Sequence, residues 1–134
     1  MNEYRKRLMP NVYLTVLPAR KFKTGCLSAQ FITALDRDRA SYNALLPAVL
    51  NRGTMRYPDM ESLSAAMDTL YGTTITTTVR KNGERQCVGF VASCIDDRFA
   101  PGGEKLLEPM AELVGELFLD PVTRGGHYLK EYVD

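Results

Sequence analysis

Asn82-Gly83 lies between two β-rich runs, Thr73 to Arg80 and Glu84 to Ile95. An Asn-Gly pair tolerates the positive φ that a two-residue hairpin turn demands, and such turns match the twist of the strands they join. The two runs are therefore expected to pair antiparallel, with Asn82-Gly83 as the turn. Side chains alternate across a strand. Val88, Phe90, Ala92 and Cys94 then face one way, and Cys87, Val91, Ser93 and Ile95 the other. A lone hairpin is at best marginally stable in water. The remainder of the chain must bring further strands or a covering layer of helices.

It supplies both. Val12 to Leu17 alternates, is rich in β-formers and ends at Pro18, so it reads as a strand. Arg20, Lys21 and Lys23 form a basic turn, expected to be a hairpin-like connection into a longer strand, Thr24 to Leu35. There Leu27, Ala29, Phe31 and Thr33 share one face, and Cys26, Ser28, Gln30 and Ile32 the other. Asp36 to Arg39 is a charged loop expected to supply acids to a helix N-terminus. Ala40 to Asn51 carries Leu45, Leu46, Val49 and Leu50 at helical spacing, and Gly53 stops it. Pro47 costs this helix a hydrogen bond and is expected to kink it. Asp59 is placed as N-cap of a second helix with Leu63, Ala66, Met67 and Leu70 on its stripe and Gly72 after its last turn. Leu106 to Phe118 has a broad apolar helical face, with Pro109 tolerated near the first turn. Asp120-Pro121 breaks that helix, and Tyr128 to Asp134 reads as the opening of another. The order is β-β-α-α-β-β-α-α. That order gives an α+β fold, an antiparallel sheet with helices packed on one face.

Size and charge narrow the functions. The 134 residues suit one domain, residues 1–134, or part of a larger one. Seventeen Lys and Arg against sixteen Asp and Glu leave a formal net charge of +1, which argues against a nucleic-acid partner. No apolar run approaches the ~20 residues that span a bilayer, so no membrane partner is expected. No apolar signal segment follows the basic start, and the expected location is cytoplasmic. Three cysteines, Cys26, Cys87 and Cys94, do not make a disulfide framework. Cys87 and Cys94 read as buried small hydrophobes on opposite faces of one strand.

Most catalytic schemes lack their parts. There is no GxxxxGK[ST] and no GxGxxG after a strand. Gly102-Gly103 and Gly125-Gly126 read as loop punctuation. His127 is the sole histidine, so no two-histidine metal motif exists in these residues. Glu104, Glu108, Glu112 and Glu116 recur at i, i+4 opposite much of the apolar stripe, as a solvated helix face would.

The order and spacing of the segments carry more. The stretch LNRGTMRYPDMESLSAAMDTLYGTTITTTV contains Gly53-Thr54, Tyr57-Pro58, Leu63, Leu70 and Gly72. From about Leu14 to Val133 the chain resembles the N-terminal part of an insulinase-type (pitrilysin-like) zinc metallopeptidase unit. That family includes mitochondrial processing peptidase. In it, a helix bearing the inverted motif H-x-x-E-H runs into a GT-x-x-[YF]-P segment, then a helix ending at Leu-x-Gly and a hairpin. Asp120-Pro121 matches an Asn-Pro or Asp-Pro that follows a later helix.

The motif itself is absent. Its five positions fall on Ala44, Leu45, Leu46, Pro47 and Ala48. Alanine replaces both histidines, and proline replaces the glutamate that serves as general base. Zinc needs imidazole, thiolate or carboxylate donors at about 2.0–2.3 Å, and neither alanine nor proline offers one. Without metal there is no Lewis acid to lower the pKa of a water, and proline cannot take a proton. The family's third ligand, a glutamate, would fall near Glu131. LLPAVLNRGT, Leu45 to Thr54, is similar to non-catalytic bacterial members encoded beside intact relatives. One such group is associated with 5-aminopentanol modification of elongation factor P. The resemblance thus implies a non-enzymatic homologue without zinc or other cofactor. It would be a chamber-forming subunit for a catalytically intact relative, cut before the last elements of its half-unit. Ser28 and Gln30, on the mixed face of their strand, would contact peptide. Two other readings compete: an active zinc peptidase whose ligands lie outside this chain, and an unrelated α+β binding module.

Overall fold

In the computed structural model, residues 3–120 are described, together with the backbone of the short strands Thr123–Arg124 and His127–Tyr128. Its centre is a three-stranded antiparallel sheet. β3 (Thr24–Ala34) and β4 (Thr74–Asn82) flank β5 (Arg85–Ile95), giving the order β3-β5-β4. Two strands precede it, β1 (Tyr4–Met9) and β2 (Val12–Val16), and form a separate two-stranded ribbon. Three helices follow the pattern of the sequence: α1 (Ala40–Leu50), α2 (Met60–Asp68) and α3 (Leu107–Leu119). The fold is α+β.

The β4–β5 hairpin forms, with its turn one residue later than expected. Asn82 pairs with Arg85, so Gly83 and Glu84 make the loop. Gly83 has φ of 63°, and Glu84 is not among the positive-φ residues. A glycine with positive φ at the first central position is what a type II′ turn requires. The register sets three apolar rows across the sheet: Leu27–Ala92–Ile75, Ala29–Phe90–Thr77 and Phe31–Val88–Val79. Phe90 and Ala92 are fully buried there, as the alternation of β5 predicts.

All three helices contribute to one core against this face. Leu50 from α1, Leu63 from α2, and Met110, Leu113, Val114 and Leu117 from α3 meet Ile75, Phe90 and Ala92. Phe118 stacks edge-on against Phe31 and Phe90, at 4.8 and 4.9 Å between centroids. α2 has the expected Asp59 cap. The Asp59 carboxylate accepts from Ser62 N at 2.7 Å, completing a capping box with the Ser62 hydroxyl. α3 has no local side-chain cap. Asp97, nine residues upstream, instead accepts from Leu106 N at 2.7 Å. None of the helices described is long and apolar enough to cross a membrane.

Several expectations are corrected. β1 was not foreseen: three of its six residues are basic, and all are exposed, so no buried face marks it. Its turn does carry a signal, since Asn11 adopts φ of 64°. β2 and β3 are not hairpin partners, because β2 pairs with β1 instead. The acids before α1 do not enter its first turn. Arg39 is its N-cap, and the Asp36 carboxylate accepts from Asp38 N at 2.9 Å within the loop. Of the helix expected over Tyr128 to Asp134, Tyr128 pairs with Thr123 in a short strand. The rest lies outside the described residues, as does Gly125-Gly126.

α1 runs continuously through Pro47, with Val49 and Leu50 buried and Leu46 packed on the core. Leu50→Ala is expected to cost about 2–5 kcal/mol, measured by denaturant titration. A cost below about half a kilocalorie would place this face outside the core.

Candidate functional site

Positions 44, 47 and 48 stand at i, i+3 and i+4 on α1, so they neighbour one another on one side of the helix. Ala44 is half-buried, Pro47 buried and Ala48 exposed. Together they present two methyl groups and a pyrrolidine ring. No side-chain atom there can bind a cation or move a proton, and these residues do not fit a zinc ion. Pro47 also leaves the Asn43 carbonyl without its helical donor.

The N-terminal half of α1 is tied to the sheet by a polar residue. Gln86 on β5 is only 5% exposed. Its amide donates to the Ala40 carbonyl at 3.0 Å and accepts from Asn43 Nδ2 at 3.3 Å. A buried amide left unpaired would be costly. Here both its ends are used, and α1 is held in register on β5.

Beyond α1 the chain closes a tight clasp. Thr54 is fully buried. Its amide donates to the Tyr57 carbonyl at 2.8 Å, and its hydroxyl accepts from Tyr57 N at 3.0 Å. Met55 N donates to the Asp120 carbonyl at 3.0 Å, joining the clasp to the end of α3. Gly53 makes this possible, because a Cβ there would lie 2.7 Å from the Tyr57 carbonyl oxygen and 2.9 Å from the Pro58 carbonyl carbon. The Gly53-Thr54 and Tyr57-Pro58 signature is thus a structural joint rather than a set of reacting groups.

Arg56 and Tyr57 of this joint, with Leu70, Glu112 and Glu116, line a cleft of about 140 Å³ between α2 and α3. Arg56 pairs with Glu116 at 3.4 Å. Glu116 is half-buried, and its second oxygen has no partner among the described residues. The expected row of solvated glutamates is corrected accordingly. Glu104 precedes the helix, Glu108 and Glu112 are exposed, and Glu116 turns inward toward Arg56. Nothing in the spacing distinguished Glu116; Arg56 lies sixty residues away in sequence.

Ser28 and Gln30 lie on the sheet face away from the helices. Gln30 Nε2 donates to Ser28 Oγ at 2.6 Å. Across the register they continue into Val91 and Thr76, and into Gly89 and Thr78. A mostly polar strip results, in which Gly89 itself is buried. It is separated by the sheet from Ala44, Pro47 and Ala48, so the structure does not bring the two sets together. Gly89 carries no Cβ because one would collide with the Ala29 carbonyl.

Cys26 is exposed, whereas Cys87 and Cys94 are buried. Burial pushes the Cys94 thiol above its ordinary value, and Asp97 and Asp96 push in the same direction. Among the described residues no three of His, Cys, Asp or Glu gather as a metal site would require. The side chains of His127 and Glu131 lie outside them.

Over 88% of its length the chain is 32% identical to a protein of Bacillus subtilis (strain 168) named "Probable inactive metalloprotease YmfF", of which it spans 28%. It superposes with a TM-score of 0.93, at 23% identity and over 99% of its residues, on a conserved protein from Enterococcus faecalis V583 known from its crystal structure, of which it covers 31%. The second likeness is one of fold. The first links the chain to an inactive metalloprotease-like relative. No protein-family model matches the chain.

The clasp gives a pair of opposite expectations. Gly53→Ala forces a methyl against backbone and is expected to destabilise by about 1–3 kcal/mol. Gly115→Ala, in α3, meets nothing within 4 Å and should stabilise by up to about 1 kcal/mol. Thermal or denaturant melts of the two variants decide; equal effects would show that Gly53 is no joint.

Proposed function

We propose that the chain belongs to a non-catalytic member of the insulinase-type metallopeptidase family and serves as a chamber-forming partner of a catalytically intact relative. The observation that carries this is α1. The helix keeps its apolar packing, its Gln86 anchor and the following clasp, while positions 44, 47 and 48 offer no ligand or base. Selection for a scaffold accounts for both. The kinship with a protein named as an inactive metalloprotease supports the same reading. Since the chain spans under a third of either relative, the role of the whole protein is part of the proposal.

In such a chamber, substrate is bound as extended peptide. Among the described residues β3 is an edge strand, and an edge strand offers backbone donors and acceptors irrespective of side-chain sequence. The Ser28 and Gln30 face would add hydrogen-bonding groups beside that edge. A place in the 5-aminopentanol modification of elongation factor P is the narrower form of the proposal, supported by the LLPAVLNRGT segment. The working site would be cytoplasmic.

Two measurements test it. Purified protein should hold no stoichiometric zinc and leave unstructured peptides uncut. One tightly held zinc per chain, removed by chelator with loss of peptidase activity, would overturn the non-catalytic reading. Co-expressed with a relative carrying an intact H-x-x-E-H, the full-length protein should co-elute on size exclusion and change that relative's peptidase rate. Separate elution with an unchanged rate would end the partner reading.

A further inference from the structure

The charges are unevenly distributed. Residues 3–24 hold six cations, Arg5, Lys6, Arg7, Arg20, Lys21 and Lys23, against the single acid Glu3. The remaining chain has eleven basic and fifteen acidic residues, so a near-neutral total hides a strongly basic arm on an acidic body. Among the described residues none of the six makes an ion pair. The ribbon is exposed almost throughout, and its strands pack chiefly on each other.

Its two faces differ. The register pairs Tyr4 with Val16 and Lys6 with Leu14 on one face, and Arg5 with Thr15 and Arg7 with Tyr13 on the other. The first face is mostly apolar, and the second is basic. Among the described residues each strand has one partner, which leaves an outer edge of unpaired backbone groups on either side. At the base of the arm, Arg98 fixes the basic turn. It donates to the Arg20 carbonyl at 3.2 Å and pairs with Asp96 at 3.0 Å, while Asp96 N donates to the Lys23 carbonyl at 2.8 Å.

We infer that the β1–β2 ribbon is a docking arm for an extended acidic protein segment, one that adds as a strand to its edge and alternates acidic with apolar residues. The alternation follows from geometry. A strand laid beside the ribbon sends successive side chains to opposite faces. Apolar residues then join Tyr4, Leu14 and Val16, and carboxylates meet Arg5 and Arg7. Backbone edges favour protein over other polyanions, since neither a phosphodiester nor a lipid headgroup satisfies a row of N–H and C=O groups. Two of the rings here already stack with cations, Arg5 at 4.5 Å from the Tyr13 centroid and Lys21 at 5.2 Å from that of Phe22. The inference names the chemistry of a partner and does not require that partner to be a peptidase relative.

The test uses the full chain and a fluorescent peptide alternating valine and glutamate, read by anisotropy. A block peptide of the same composition, oligothymidylate of equal charge and phosphatidylglycerol vesicles are run beside it. The alternating peptide should bind more tightly than the other three and weaken at least tenfold between about 0.05 and 0.5 M salt. Arg5→Glu with Arg7→Glu should lower its affinity at least tenfold. Arg80→Glu with Lys81→Glu, the same charge change on the exposed end of β4, should leave it within twofold. Circular dichroism confirms that both variants fold, and Arg5→Gln with Arg7→Gln replaces the first if it does not. Equal loss in both variants, equal binding of the block peptide, or tighter binding to oligothymidylate or vesicles would each overturn the proposal. Because the peptide is no peptidase relative, this outcome is separate from co-elution with one.

Discussion

β5 has strand partners on both sides, and each side constrains what it can be. Against β3 the backbones approach so closely at Gly89 that a methyl there would meet the Ala29 carbonyl. Against the helices the same strand presents Phe90 and Ala92, both without exposed surface. Gln86, at its start, receives the first turn of α1. One strand thus fixes the sheet, seats the core and positions the helix on which the comparison with metallopeptidases turns. Loss of β5 packing would release all three together, since β3 and β4 touch through it and not each other.

The clasp from Gly53 to Pro58 is the second constraint, and it gives the Gly53-Thr54 and Tyr57-Pro58 pairs a structural reason to be where they are. Thr54 and Tyr57 exchange two hydrogen bonds, and Met55 reaches the C-terminal end of α3. These contacts set how α1, α2 and α3 lie on the sheet. Gly53 and Thr54 serve this packing, whereas the side chains at positions 44, 47 and 48 offer no ligand or base.

Much of the fold was legible because it rests on short-range rules. Asp59 announced its helix through capping chemistry. The alternation of β5 identified its buried face, and the spacing of Val49 and Leu50 identified the inner side of α1. Elements whose logic is not local were missed. β1 has no buried face to impose an apolar period, so its three cations hid it. The hairpin turn slipped by one residue because Asn82-Gly83 and Gly83-Glu84 both offer a glycine able to take positive φ. Glu116 looked like its neighbours Glu108 and Glu112 until the fold brought Arg56 to it. At the candidate site, the missing ligands were evident from residue identity alone. That Ser28 and Gln30 occupy the opposite side of the sheet required the register and the placement of the helices.

Pro47 is buried within α1, and this bears on whether a charged group could stand at that position. A carboxylate placed there would lose hydration on the side of α1 that packs Leu50 into the core, which is costly unless the charge is paired. Histidines at 44 and 48 would have to arrive at the same time for a metal to compensate that charge. The carboxylate alone is therefore unfavourable at the buried position 47. Packing at this position thus acts as a ratchet, admitting an apolar side chain much more easily than a charged one.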